Sequence, residues 1–377
     1  MIRATYALTL LLLISGVSTA KNKIAVSATF CENKTEAIGI NTEKFCFGWN
    51  LVSSERNVNQ TAYQILLVEG SQNFKKEKSA IWNSGKIVSS KSIWVDYTGP
   101  KLMPGTTYFW KVKVWDNKGN ESEWSQPTRI TTGLFSETDW SGAKWIALDE
   151  LDPAKRLVPG IHVPMLNKEW KNKKSGEHML PIFRKEFSVK KKLKEALVFV
   201  TGLGQYELRL NGEKVGNHFL APGWTDYDDS NLYNIYDITN LTSAGKNAFG
   251  MLLGNGFYSV PNNRFRWVNP IFGNPKMILK LLLNYEDGTS ETVVSDQSWK
   301  VAESPITYSN LYSGETYDAN LEPAGWDRPG FDDSAWKQSL VVSAPNKKLV
   351  PEMDYPVAVC ETISVKTIRP VPSVKNS

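Results

Sequence analysis

The sequence predicts an all-β protein made of two tandem β-sandwiches. Three observations predict it. Short runs alternating apolar and polar residues recur along the chain, as in Tyr206-Glu207-Leu208-Arg209-Leu210, and a period of two is that of a half-buried strand. Turn clusters such as Asn211-Gly212, Asp287-Gly288 and Pro104-Gly105 separate these runs. No stretch keeps a helical period, because Gly, Pro and β-branched residues interrupt every candidate run. A chain of 377 residues has room for two such domains, each with its own core.

The first twenty residues carry one basic residue (Arg3), an apolar run from Leu8 to Val17, and Ser18-Thr19-Ala20. Small residues at the cleavage positions mark residues 1–20 as a secretory signal peptide, and the apolar run is short for a bilayer span. The expected location is therefore secreted or periplasmic, with no membrane span. Formal charge is +5, or +4 once Arg3 leaves with the leader. This mild excess accompanies no nucleic-acid motif, so no nucleic acid is expected as partner. Fourteen Trp, 14 Tyr and 15 Phe form a high aromatic load, suited to sandwich cores and to surfaces that bind sugars.

The first sandwich is expected over residues 21–133. Its strands are Phe45 to Trp49, Ala62 to Val68, Ser92 to Tyr97 and Tyr108 to Trp115, and its pattern resembles fibronectin type III-like domains around Trp82, Trp110 and Trp124-Ser125. Cys31 and Cys46 can pair in an oxidising compartment, yet both sit in apolar strand patterns. Buried thiols are the preferred reading. Cys360 makes the set odd, and His162, His178 and His218 lack metal-ligand spacing.

The second sandwich is expected over residues 136–343, opening at the aromatic junction Asp139 to Ile146. Residues 150–180, basic and Pro-interrupted, read as a long insertion loop with a solvated face. From Ile182 the strands are IFRKEFSV, EALVFVTGLG, YELRLNG, NLYNIYDIT, NAFGMLLGNG, KMILKLLLNY and ETVVSD. Their number, without intervening helices, indicates a jelly-roll. Residues 344–377 are expected to form a Pro-containing connector with a last strand-like piece, Ala358 to Val365. Phosphate-cradling loops, GxSxG and HExxH are all missing from the sequence.

FRKEF (183–187), TGLGQYELRLNG, APGWTDY, GNGFY, YEDGT, SDQSWK and SGETYDANLEPAGWD (313–327) together resemble bacterial α-L-rhamnosidases. The resemblance covers essentially the whole mature chain, and the ordered series of motifs is specific where a single one is not. It implies a fibronectin-like domain followed by the jelly-roll "rhamnosidase N" domain. In that family a further β-domain and an (α/α)₆ barrel follow, and the barrel carries the two carboxylates of an inverting mechanism, roughly 6.5–9.5 Å apart. No segment here has the helical periodicity for that barrel. No catalytic residue is therefore carried over, and the chain reads as the non-catalytic N-terminal region of such an enzyme, inactive alone. Active hydrolysis through a pair such as Asp226 with Glu315, or a structural brace for a barrel, are the alternatives.

The resemblance implies terminal rhamnose as ligand, in some relatives with calcium, which takes six to eight oxygens. Candidate carbohydrate-binding residues are Asn211, Trp224, Asp226, Asn255, Phe257, Glu315 and Asp318, with Tyr258 as a further platform. Calcium, if held, is expected near Asp226 and Asn255. Each has a plainer reading. Asn211 is equally a hairpin residue, and for Trp224 a core plug is preferred to a stacking surface. Asn255 suits a turn between glycines, Glu315 and Asp318 suit backbone acceptors, and Asp226, Asp228 and Asp229 suit a solvated run. The family commonly has YDAR where this chain has Tyr317-Asp318-Ala319-Asn320, which weakens a ligand site there.

Overall fold

The computed structural model describes residues 24–40, 44–70, 73–74, 79–156, 179–260, 270–343 and 348–369. The expected leader and most of the expected insertion loop lie outside the described residues. Strands in chain order are β1 (Ala25–Cys31), β2 (Ala37–Ile40), β3 (Cys46–Val52), β4 (Gln60–Glu69), β5 (Trp82–Asn83), β6 (Ile87–Val88), β7 (Val95–Asp96), β8 (Thr107–Asp116) and β9 (Thr128–Thr132). They continue with β10 (Ile146–Ala147), β11 (Pro181–Val189), β12 (Leu193–Leu203), β13 (Tyr206–Leu210), β14 (Glu213–Lys214), β15 (Ser230–Asp237) and β16 (Gly245–Leu253). The last are β17 (Lys276–Tyr285), β18 (Ser290–Val294), β19 (Lys300–Glu303), β20 (Ile306–Asn310), β21 (Gly314–Tyr317), β22 (Lys337–Gln338), β23 (Leu340–Val341) and β24 (Lys348–Pro351). Among the described residues there is no α-helix, so the all-β expectation holds.

The chain divides into two units, and residues 37–43 and 101–107 fall with the second. In the first unit β3 lies between β1 and β7, while β4 pairs with β5, β6 and β8. Phe47 on β3 meets Trp110 on β8 at 4.5 Å, and Phe45 stacks on Tyr97 at 4.7 Å, so rings from both sheets build this core. Trp49 donates its indole N–H to Gln60, whose amide in turn donates to the Ser89 and Lys91 carbonyls. The strand expected at Ser92 to Tyr97 is shorter than its pattern. Trp94 adopts φ 54°, which breaks the extended backbone and leaves Val95–Asp96 alone to pair.

Both cysteines of this unit are free thiols. Cys31 is buried, and burial pushes its pKa up well above the ordinary value. Cys46 is half-buried and donates to Asp96; burial first, then that carboxylate, push it up to about 11. Cys360 is exposed. Because the thiolate is the reactive form, a maleimide at pH 7.5 should modify Cys360 first and Cys31 only on unfolding, as peptide mapping would read. Early loss of the Cys31 peptide would contradict its burial.

The second unit is a sandwich of two sheets, ordered β23-β10-β17-β12-β15-β24 and β14-β13-β16-β11-β19-β22, with β18 beside β17. Phe183, Phe249, Met251, Leu208 and Leu210 from one sheet interleave with Val198, Val200, Leu279, Leu281 and Leu283 from the other. The first sheet is also covered on its outer face, where Leu197, Phe199, Tyr233 and Ile235 pack with Leu134, Trp140, Trp145, Tyr227 and Tyr258. A strand buried on both faces needs a continuous apolar run. This accounts for Ala196 to Leu203, where alternation fails. Gly105 and Gly133 press against that covered face: a Cβ on Gly105 would lie 2.9 Å from Leu282, and one on Gly133 2.5 Å from the Tyr233 hydroxyl.

Both expected hairpins form. Leu210 opposes Glu213 across Asn211 (φ 55°) and Gly212 (φ 88°), the positive angles a two-residue turn of this hand requires. Asn284 opposes Ser290 around Asp287-Gly288. Two expectations for the tail are corrected. Residues 348–351, read as connector, form β24, parallel to β15 in the register Ser230↔Lys348 to Tyr233↔Pro351. Ala358 to Val365 forms no strand: its alternating residues find no sheet edge among the described residues, and Val359, Ile363 and Val365 stay exposed.

Arg184, in the FRKEF motif, is 1% exposed. It donates to the Trp326 and Arg328 carbonyls at 2.9 Å each and pairs with Glu186 and Asp333. Arg209 likewise grips Asp327 (2.6 Å) and Glu207 (2.8 Å). The two guanidinium forks bind the strand-free segment 326–333 to the sheet.

Candidate functional site

The segments PGWTDY (222–227) and GNGFY (254–258) lie side by side through two aromatic pairs. Trp224 sits over Phe257 with ring centroids 4.9 Å apart, and Tyr227 meets Tyr258 edge-on at 5.3 Å. Phe257 also meets Tyr312 edge-on at 6.3 Å, on the turn of the β20–β21 hairpin. Trp224 is 66% exposed. The core-plug reading of Trp224 is therefore corrected: Tyr227 and Tyr258 take the buried positions, and the Trp224 and Tyr312 rings reach solvent. Tyr258 belongs to the core and offers no platform.

Three polar contacts hold these loops. The buried Asn255 donates its amide to the Ser309 carbonyl at 2.8 Å, fastening GNGFY to β20. Gly254 N–H donates to the Gln205 carbonyl at 2.7 Å, and a Cβ on Gly204 (φ 96°) would stand 1.8 Å from the Gly254 oxygen. Gly223 N–H donates to Glu352 at 2.9 Å, and a Cβ there would approach the same carboxylate to 2.8 Å. Glycine is required at 204, where the obstructing atom is backbone; at 223 an added Cβ would have to push the Glu352 carboxylate aside.

Glu352, half-buried, begins a chain of hydrogen bonds that runs through buried Asn234, Tyr206 and Tyr236. Its second oxygen accepts from Asn234 at 2.7 Å, and Asn234 accepts from the Tyr206 hydroxyl at 2.7 Å. The Tyr206 and Tyr236 hydroxyls are 3.2 Å apart, and Tyr236 lies 2.8 Å from His218 Nδ1. Burial pushes both tyrosine pKa values well up, so both hydroxyls stay protonated as donors. Sequence reasoning missed Tyr312, Ser309 and Glu352. Tyr312 had a signal, being an aromatic in a polar turn, but Glu352 sits in the stretch taken for a connector.

The remaining candidates separate. Asp226 is exposed and accepts from the Asp228 N–H at 3.0 Å, closing its own turn. Glu315 is exposed on β21 opposite Ser309. Asp318 caps the 3₁₀ turn Ala319–Leu321, accepting from the Asn320 backbone and side chain at 3.0 and 2.9 Å. Asn320 thus turns back on its own loop. Asn211 donates to Leu241 and Asn247 and accepts from Ala248. Ala248 lies within β16 and Asn255 two residues past its end, roughly 20 Å apart at strand spacing, so Asn211 belongs to its hairpin and not to the aromatic surface.

Among the described residues no three His, Cys, Asp or Glu side chains converge, and Asp226 with Asn255 fall far short of the six to eight oxygens that calcium takes.

Residues 191–361 match the family model of the alpha-L-rhamnosidase N-terminal domain, and residues 26–136 match the Rha78A-like N-terminal immunoglobulin domain. The chain belongs to the α-L-rhamnosidase family through these two N-terminal domains. An alpha-L-rhamnosidase of Formosa agariphila is 36% identical, matching 80% of this chain and 32% of its own length. One from Alteromonas sp. is 32% identical over 82% of this chain and 32% of its own. Among solved structures, the α-L-rhamnosidase from Dictyoglumus thermophilum is 36% identical with a TM-score of 0.75, over 89% of this chain and 36% of that one. The Streptomyces avermitilis α-L-rhamnosidase complexed with L-rhamnose is 25% identical with a TM-score of 0.77, over 90% and 47%. The chain spans about a third of the length of the Formosa and Alteromonas rhamnosidases it matches.

Proposed function

We propose that this chain is a non-catalytic region of a secreted α-L-rhamnosidase, and that its second sandwich binds or positions rhamnose-containing glycans on the Trp224–Phe257–Tyr312 surface. The exposure of Trp224, held at 66% by a loop anchored from below, supports this reading most. A sugar presents C–H groups on its faces and hydroxyls on its rim. The indole offers an apolar face for the first, and the exposed carboxylates of Asp226 and Glu315 accept from the second. The inverting chemistry of a glycosidase needs two fixed carboxylates across a sugar; Asp226 and Glu315 are surface groups, so no turnover of a nitrophenyl rhamnoside is expected. Activity that disappears in Asp226→Asn would refute the non-catalytic reading.

Titration calorimetry with L-rhamnose, with and without calcium, tests binding. Heat is expected at millimolar sugar. Trp224→Ala should remove it while moving stability by no more than about 0.5 kcal/mol, the usual range for a surface substitution. A folded sample that gives no heat would end the proposal.

A second reading is favoured by a separate observation. Tyr355, Val357, Val359, Ile363, Val365 and Ile368 are 61–87% exposed, an apolar row of the kind that marks an interaction surface. It suits a brace against a further domain, such as a catalytic barrel. Co-purification with a barrel-containing polypeptide, lost in an Ile363→Asp, Val365→Asp double variant, is the expected result; retention by that variant would discard it.

A further inference from the structure

The outward face of β8 in the first unit carries Lys111, Lys113 and Trp115, each half-buried and two residues apart. Their side chains interleave with rings from neighbouring segments. Lys111 Nζ stands 4.7 Å from the Phe74 ring and 4.7 Å from Trp124. Lys113 Nζ is 5.1 Å from Trp124 and 5.1 Å from Trp115. Lys86 Nζ closes the row, 4.3 Å over the other end at Trp115. The order Phe74–Lys111–Trp124–Lys113–Trp115–Lys86 alternates ring and cation through six side chains.

The backbone locks this row in place. Ser125 and Val112 exchange hydrogen bonds, N–H to carbonyl at 2.8 Å and N–H to hydroxyl at 3.1 Å, and Ser122 does the same with Val114. These contacts fix Trp124 between the two lysines. Glu121 joins the row, accepting from Lys113 and, at 3.0 Å, from the Trp115 indole. Gln64, the cross-strand partner of Lys113, donates its amide to Asn83 at 2.8 Å. The face therefore combines fixed cations, half-exposed ring surface, an amide pair and the Glu121 carboxylate.

Packing needs only one apolar face for such a sheet, and the inward residues Tyr108, Trp110, Val112 and Val114 already supply it. Lysines held against rings have lost most of their rotamer freedom before any ligand arrives, which lowers the cost of binding. The cations suit spaced anionic groups, the rings suit sugar faces, and Glu121 with the amide pair suits hydroxyls.

We propose that this row is a binding track for an acidic polysaccharide, a polymer of sugar carboxylates, with the anions on Lys86, Lys111 and Lys113 and the sugar faces over Trp115 and Trp124. It is separate from the surface around Trp224 and does not depend on rhamnose.

The test is calorimetry or affinity electrophoresis of the full chain with a rhamnose-free galacturonate hexamer, beside a neutral hexamer of similar length. Binding of the acidic hexamer only is expected, weakening as salt rises from 0.05 to 0.5 M. Lys111→Met with Lys113→Met keeps the side-chain stems and their packing, and should weaken binding about tenfold or more, a change of about 1.4 kcal/mol, with the melting temperature of the unit held. Trp124→Phe, which keeps a ring between the lysines, should retain most of the affinity. Lys192→Met with Lys194→Met, on exposed positions of the second unit, should leave it unchanged. No binding by the full chain, equal binding of the neutral hexamer, equal loss in the Lys192/Lys194 variant, or undiminished binding in the Lys111/Lys113 variant would each overturn the proposal. A null result with L-rhamnose would bear only on Trp224.

Discussion

Replacing Arg184 with alanine should destabilise the second unit by about 3 kcal/mol, near the low end of the 3–5 kcal/mol seen when a buried ion pair loses one partner. The low end applies because Glu186 and Asp333 keep 31% and 26% of their side-chain surface in water. The substitution also strips the Trp326 and Arg328 carbonyls of their donor and leaves segment 326–333 without its anchor. For a unit of this size the melting point should fall by roughly 6–12 °C. Arg184→Lys should recover only part, because an ammonium cannot reproduce the guanidinium fork. A urea denaturation curve for the alanine variant within 1 kcal/mol of the parent would show that Arg184 is not the anchor described. The pair also makes stability depend on pH. Burial raises the Glu186 carboxyl pKa, but the Gly330 N–H and Arg184 outweigh it and hold it below the ordinary value. A depressed carboxyl contributes stability above its unfolded value, about 4.3, and loses it as pH falls through the folded one. The stability gap between parent and Glu186→Gln should therefore narrow between pH 6 and pH 3.

Gly204→Ala should have a comparable effect by another route. Its Cβ would stand 1.8 Å from the Gly254 oxygen, a backbone atom that cannot turn aside, at φ 96°. Steric overpacking costs about 1–3 kcal/mol, and a left-handed backbone adds about 1–2 kcal/mol. Relief requires GNGFY to move away, taking Phe257 out from under Trp224. The variant should thus lose about 3 kcal/mol of stability together with whatever sugar affinity the aromatic surface provides. Stability within 0.5 kcal/mol of the parent would mean that the two loops are not held in contact.

Strand positions were legible where one face is wet, as at Tyr206–Leu210, because burial then writes a period of two into the sequence. They were legible again in Lys276–Tyr285, whose length and composition reveal a strand covered on both sides. The short edge strands were not. Two residues, as at Lys337–Gln338 or Leu340–Val341, carry no period, and β24 has a proline at its end that argues for a connector. The aromatic neighbours GNGFY and PGWTDY were found as motifs, yet which ring faces water was misjudged at Trp224. Residue type does not decide that: Tyr227 and Tyr258 fill the core first, and the third ring is left outside. Asn211 was doubtful for a related reason, since a hairpin asparagine and a binding asparagine look alike until Leu241, Asn247 and Ala248 are seen around it.

The parallel pairing of Lys348–Pro351 with β15 has a practical corollary for anyone cutting this molecule into pieces. A fragment ended at residue 343, where the recognisable strand pattern stops, would discard Glu352. The Gly223 amide would lose its acceptor, and Asn234 would lose the carboxylate that orients it toward Tyr206. Such a fragment would keep both main sheets and still present a loosened tryptophan loop, so its failure to hold a sugar would say nothing about the intact chain. The smallest faithful excision extends past residue 357, where the tail makes its last backbone contact with Phe219 among the described residues.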